Sequence, residues 1–260
     1  MSEKTIGRTG ETAYNKFGSE MIIIDYKGCM DVDVYFPEYN WTFKNTRYND
    51  FKKGSIKCPY ERRYYEVGYL GEGKYKVSEN GKHTKVYQTW HDMLRRCYDE
   101  KSLKRNPTYI GCKVDKEFHN FQEYGEWSED NYYEIKEEKM CLDKDILVKH
   151  NKIYSPETCI FVPQRINTLF TKRDSKRGNN PIGVSDYING KYVAQCHIIN
   201  PETGKSKYEC LGVYETQLKA FEVYKEFKEK NIRQVADYYF GLIPNKLYNT
   251  LYNYEVEITD

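Results

Sequence analysis

The sequence predicts an α+β protein, and three observations carry that prediction. Alternating runs such as Asp31-Val32-Asp33-Val34-Tyr35-Phe36 have the period of a half-buried strand. Other runs repeat at helical spacing, first Trp90, Met93, Leu94, Cys97 and Tyr98, then Phe118, Phe121, Tyr124 and Trp127. The third is that strand-like and helix-like patterns fall in separate blocks along the chain, as in an α+β protein. The expected organisation is a small β-rich module of SH3-like size over residues 1–60, a central domain over 61–177, and a three-stranded sheet with a helix and helical extension over 178–260.

Within the first module, Met21 to Tyr26 reads as a buried strand, Asp31 to Phe36 as its neighbour across a Lys27-Gly28-Cys29-Met30 turn, and Trp41 to Phe43 as a third strand. The glycines at 68, 71, 73 and 81 suggest a hairpin leading into the central domain. The two aromatic stripes then give two helices whose rings form core. Ser155 is placed to cap a short helical turn opened by Pro156, and Pro163 to open another helix through Ile166, Asn167, Leu169 and Phe170. The stretch from Thr171 to Asn180 is polar and basic and reads as a linker. Strands follow at Ile182 to Tyr187, Tyr192 to Ile199 and Tyr208 to Val213, joined by Asn189-Gly190 and Pro201-Glu202-Thr203-Gly204. Thr216 caps a helix with apolar face Ala220, Phe221, Val223, Tyr224 and Phe227. Two more helical pieces end in an acidic tail from Tyr254 to Asp260, whose alternation suits a strand added to a sheet edge.

Net charge is only +2, but it is unevenly spread. From Lys44 to Arg63 there are seven Lys/Arg against two acids, and from Asp115 to Asp145 eleven acids against four Lys. From Arg165 to Arg177 the sign turns again, with five basic residues and one Asp. Separated basic tracts rich in Tyr, Asn and Gly suit a phosphate-contacting surface, where each cation releases counterions. The candidate nucleic-acid residues are Lys52, Lys53, Lys57, Arg95, Arg96, Arg165, Lys172, Arg173, Lys176, Arg177, Lys191 and Gln195. No apolar run reaches membrane-spanning length and the N-terminus lacks a signal-peptide core, so the expectation is a cytoplasmic protein with no membrane partner. The eight cysteines contain no Cys-x-x-Cys pair and read as reduced, buried apolar residues rather than a zinc site.

Leu142 to Asn167 holds Asp143-Lys144-Asp145, Tyr154-Ser155-Pro156-Glu157-Thr158-Cys159 and Gln164-Arg165-Ile166-Asn167. With the preceding Trp90 to Tyr98 and Val114 to Phe118 runs, it resembles the HNH-like (ββα-metal) proteins of bacteriophages and mobile introns. The resemblance implies a His general base after an Asp, a middle Asn that orients it, and a final Asn or His that shares a divalent cation, such as Mg, with the Asp. Here Lys144 stands at the base position and Thr158 at the middle Asn position. That leaves Asp143 and Asn167 as candidate metal ligands, and His150 as a substitute base. A protonated lysine cannot take a proton from water. The sheet from Gly183 to Tyr214, with Ala220-Phe221-x-x-Tyr224, resembles the Apetala/ethylene-response-factor (integrase-type) DNA-binding domain, whose three strands enter the major groove. Ser185, Tyr187, Lys191, Gln195, His197, Lys205 and Lys207 would form its outward face, yet no Arg occurs between Gly178 and Ile232.

Three functions follow from these resemblances. One is a non-catalytic nucleic-acid-associated binding protein of a phage or mobile element in a bacterial host cell, needing no cofactor. It would bind double-stranded DNA or act in counter-defence by blocking a host nuclease through the acidic tract Asp115 to Asp145 or the C-terminal tail. The second is an active metal-dependent homing-type endonuclease using Asp143, Asn167 and His150. The third is a DNA-binding regulatory protein.

Overall fold

The computed structural model describes residues 7–171 and 180–260, and the chain is α+β. Its packing separates two compact units. One is formed by residues up to 130 together with Tyr154–Pro156, the other by 131–153 and 157–260.

The first unit begins with an antiparallel meander in the order β1 (Thr12–Tyr14), β2 (Glu20–Gly28), β3 (Asp31–Phe36) and β4 (Trp41–Thr46). The alternation in β3 does what its period requires: Val32, Val34 and Phe36 are buried while Asp31, Asp33 and Tyr35 are not. With Met21, Ile23 and Phe51 of α1 (Tyr48–Lys52), and with Ile56 and Cys58, they make one core. The glycine-marked hairpin is small, pairing Ser78–Glu79 with Lys82–His83 around Asn80-Gly81. Both turn residues have positive φ (50° and 74°), the combination that makes Asn-Gly a tight-turn pair.

Thr84 then caps α2 (Lys85–Tyr98), its hydroxyl accepting from the Tyr87 amide at 3.3 Å. Trp90, Met93, Leu94 and Cys97 are buried as the stripe predicts. Asp99 caps α3 (Glu100–Arg105) at 2.7 Å. The second stripe is divided, for Phe118 lies in a 3-10 turn (Lys116–His119) and only Phe121 onward is in α4 (Phe121–Asn131). The Trp90 indole closes this core by donating to the Phe118 carbonyl at 2.7 Å.

In the second unit β5 (Met140–Asp143) pairs antiparallel with β6 (Ile160–Pro163), and α5 (Gln164–Leu169) leaves directly from Pro163. Ser155-Pro156 forms a turn rather than the expected helical start. Next come β7 (Val184–Asp186), β8 (Tyr192–Ile199) and β9 (Ser206–Tyr214), a sheet in that order, with the turns where Asn189-Gly190 and Pro201–Gly204 placed them. The Thr216 hydroxyl caps α6 (Gln217–Tyr238), whose 22 residues continue unbroken through Ile232. At 1.5 Å per residue α6 is roughly 33 Å long, enough to serve two cores. Ala220, Phe221 and Tyr224 pack on the sheet with Val184, Ala194 and Cys196. Ile232, Val235 and Ala236 pack with Ile160, Val162, Ile166 and Leu169 of the strand-strand-helix element, and with Leu247 and Leu251 of α7 (Asn245–Tyr252).

The acidic tail departs from expectation. Residues 254–260 contain no strand; Val256 is buried, its amide donating to Glu229 at 2.8 Å and its carbonyl accepting from Lys225 at 2.7 Å. Lys149 draws the tail onto the 143–151 loop, with Glu257 at 3.0 Å, Asp260 at 3.5 Å and the Tyr254 ring at 4.5 Å. Its backbone hydrogen-bonding groups are thus partly engaged within the same unit. No described helix is long and apolar enough to cross a membrane. Five of the eight cysteines, Cys58, Cys97, Cys112, Cys159 and Cys196, are buried.

Candidate nucleic-acid interface and candidate metal site

Asp143 ends β5, where the chain must reverse through a loop before β6. Its Oδ1 accepts the amides of Asp145 (2.9 Å) and Ile146 (2.7 Å), which fixes the loop and lets Ile146 enter the core. Burial, reinforced by the neighbouring Asp145 carboxylate, pushes the Asp143 carboxyl up to about 6 against the pull of those two amides. The next side chain, Lys144, is buried, and its Nζ donates to Asp145 Oδ2 at 2.9 Å. Its carbonyl accepts from the Asn151 amide at 2.6 Å. Thr158, at the middle Asn position, donates from Oγ1 to the Ile153 carbonyl at 2.9 Å, closing the same loop.

Asn167 is half-buried on α5, and its side chain makes no hydrogen bond among the described residues. His150 is exposed with φ at +61°, on the turn that Asn151 braces. Among the described residues no three His, Cys, Asp or Glu side chains converge as a metal-holding group. The donor set does not fit a hydrated divalent cation served by a base: Asp143 Oδ1 is already an acceptor for two amides, and the base position carries an ion-paired ammonium. Burial lowers the pKa of both His91 and His119. His91 lies among the Tyr64, Tyr65 and Tyr87 rings, and the His119 Nε2 is 3.0 Å from the Val114 carbonyl.

The candidate nucleic-acid residues divide by what already engages them. Arg165 is a clamp: it pairs with Glu138 at 2.9 Å and donates to the Pro201 carbonyl at 2.5 Å. Arg96 is half-buried over the Tyr109 ring, and although its burial works the other way, Tyr154 and Tyr109 hold its pKa above the ordinary value. Arg95 is held by Asp92 at 2.8 Å, Lys52 by Glu11 at 3.1 Å and Lys191 by Glu215 at 2.7 Å. Gln195 reaches Ser185 at 3.4 Å. Lys53 and Lys57 are exposed and make no ion pair among the described residues. Lys172, Arg173, Lys176 and Arg177 lie outside the described residues. On the sheet, His197 and Tyr208 are paired in register with their rings 5.1 Å apart.

Two residues that bear on function went unselected in the sequence. Arg62 is exposed with no ion pair among the described residues, beside a cleft lined by Tyr39, Tyr60 and Tyr69. Lys228 is buried on α6. For Lys228 a signal existed: it follows Phe221 and Tyr224 by seven and four positions, on the predicted apolar face. Compared with protein-family models, curated proteins and solved structures, the chain has no match.

Proposed function

We propose that this chain is a nucleic-acid-associated binding protein of phage or mobile-element type, built on an HNH-like strand-strand-helix scaffold that no longer hydrolyses DNA. The observation that carries this reading is the state of Lys144. At the place where the resemblance puts a general base, a buried ammonium is ion-paired with Asp145, and a general base must instead offer a lone pair to water. The neighbouring Asp143 and Thr158 serve the loop, so the former catalytic turn is now a structural one. Lys53, Lys57 and Arg62, exposed and without an ion pair among the described residues, supply sequence-independent attraction to phosphate.

Supercoiled and linear duplex should be incubated with the protein in Mg²⁺ and in Mn²⁺, and the same duplexes titrated in a binding assay at two salt concentrations. Salt-sensitive binding without cleavage is expected. Cleavage that is lost in Asp143→Ala and His150→Ala would replace this reading with the endonuclease one. A second reading, engagement of a basic protein partner in counter-defence, is favoured by α4, where Glu123, Glu126 and Asp130 recur at helical spacing and are all exposed.

A further inference from the structure

A cavity of about 290 Å³ lies in the second unit, beside the start of β7, where the β8 residues beyond Gln195 have no β7 partner. Its wall combines the aromatic rings of Phe170, Tyr208, Tyr224 and Tyr254 with the side chain of Lys228. Lys228 is only 8% exposed, and it makes no hydrogen bond or ion pair among the described residues. An ammonium removed from water without a counter-charge costs several kcal/mol, and a methionine or leucine at this turn of α6 would avoid that cost. The other titratable groups nearby do not supply the charge. Asp260 also lines the cavity, but its carboxylate is held by Lys149 at 3.5 Å and takes the Glu257 amide at 2.9 Å. The Cys196 thiol is pushed up by burial and so stays neutral. His197 also lines the cavity, its ring 5.1 Å from that of Tyr208, and an imidazole carries no negative charge.

We propose that this cavity binds a small aromatic anion, with the charged group received by Lys228 and the ring held among Phe170, Tyr208 and Tyr224. The lysine excludes a metal cation, the rings favour a flat body, and the volume lies at the lower end of ligand pockets, which run from about 300 Å³. Burial lowers the Lys228 ammonium from its ordinary value, so an arriving anion also secures its proton. Of its lining, Ser185, Gln195 and His197 belong to the sheet face that the integrase-type resemblance turns toward DNA, whereas Lys228, Phe170, Tyr208, Tyr224 and Tyr254 are not candidate nucleic-acid residues.

The test uses the full chain with 8-anilinonaphthalene-1-sulfonate as a fluorescent aromatic anion, and benzoate and benzyl alcohol as competitors. Saturable binding of one probe per chain is expected, displaced by benzoate at concentrations at least tenfold lower than benzyl alcohol. Lys228→Met should weaken the probe at least tenfold while resisting urea as well as the native chain or better. Absence of saturable binding, equal competition by the neutral alcohol, or a Met variant that keeps the probe within twofold would overturn the proposal. So would a Met variant less stable than the native chain, because that would make the lysine structural. The competitor comparison needs no variant, so it decides even if Lys228→Met fails to fold.

Discussion

Arg165 holds Glu138 at 2.9 Å while the Glu138 side chain is only 7% exposed, and the Tyr239 hydroxyl donates to the same carboxylate at 2.9 Å. One guanidinium thus joins α5 to the segment before β5, and through the Pro201 carbonyl to the β8–β9 turn. Removing one member of a buried pair leaves the other charge uncompensated. Arg165→Ala should therefore destabilise the second unit by roughly 3 kcal/mol, seen as a lower urea midpoint with an unchanged slope. Its duplex affinity, measured well below that midpoint, should stay within about twofold. A stable variant that binds DNA much more weakly would return Arg165 to the phosphate surface.

Asp143 makes a pH-dependent prediction. Its carboxyl is raised to about 6 by burial and then by Asp145, so the folded chain holds that proton more tightly than the unfolded chain does. Stability from this group is therefore present below the ordinary aspartate value and is lost as pH rises through about 6. Asp143→Asn keeps the Oδ1 acceptor and removes the charge, so its stability should fall less than the native chain's between pH 5 and pH 7.5, and should match or exceed it at pH 7.5. Asp143→Ala removes the acceptor of the Asp145 and Ile146 amides and should cost roughly 0.5–1.5 kcal/mol per bond at both values. Urea titrations at the two pH values decide, and an Asn variant with the native pH slope would reject the assignment.

What the sequence made legible was local. The β7–β8–β9 ladder could be placed because Asn189-Gly190 and Pro201–Gly204 punctuate period-2 strands, and turn chemistry acts within four residues. Around Asp143 only the helix start was legible, marked by Pro163; the short strands Met140–Asp143 and Ile160–Pro163 were not read from the residues. The tail was not, because Glu255-Val256-Glu257 carries a strand's alternation while its fate is set by Lys149, more than one hundred positions away in sequence. Nor could charge counting separate Arg165 from Lys53, since both belong to basic tracts and only tertiary partners distinguish a clamp from a free cation. Lys228 illustrates the reverse case: helical period alone places it inside, and chemistry alone would place it outside.

Gly183 has φ of +76°, and a Cβ there would lie 2.0 Å from the Tyr224 ring, which is buried against the start of β7. The turn into the sheet and the seat of α6 thus depend on one absent methyl group. Gly183→Ala combines left-handed strain of roughly 1–2 kcal/mol with overpacking of about 1–3 kcal/mol. It should lower the thermal midpoint markedly, whereas Gly190→Ala, with φ of +71° and nothing within 4 Å, should show only the strain. Equal losses in the two variants would mean that the Tyr224 contact contributes nothing.

The distinction between engaged and unengaged cations can be tested through salt. A cation already paired with a carboxylate gives up that partner when it meets phosphate, so its net gain is small, and a pair at the surface is itself worth under about 1 kcal/mol. Lys53 and Lys57 have no such partner among the described residues, while Lys52 and Lys191 sit 3.1 Å and 2.7 Å from Glu11 and Glu215. If the first unit meets duplex DNA through the free pair, replacing both Lys53 and Lys57 by alanine should reduce the slope of log affinity against log salt by about 2, for all duplex sequences alike. Replacing Lys52 and Lys191 should change it by well under that amount. Affinities measured across a salt series for the two double variants separate the cases, and the reverse order would show that carboxylate partners are displaced at the interface and that ion pairing in the free protein does not mark which lysines touch phosphate.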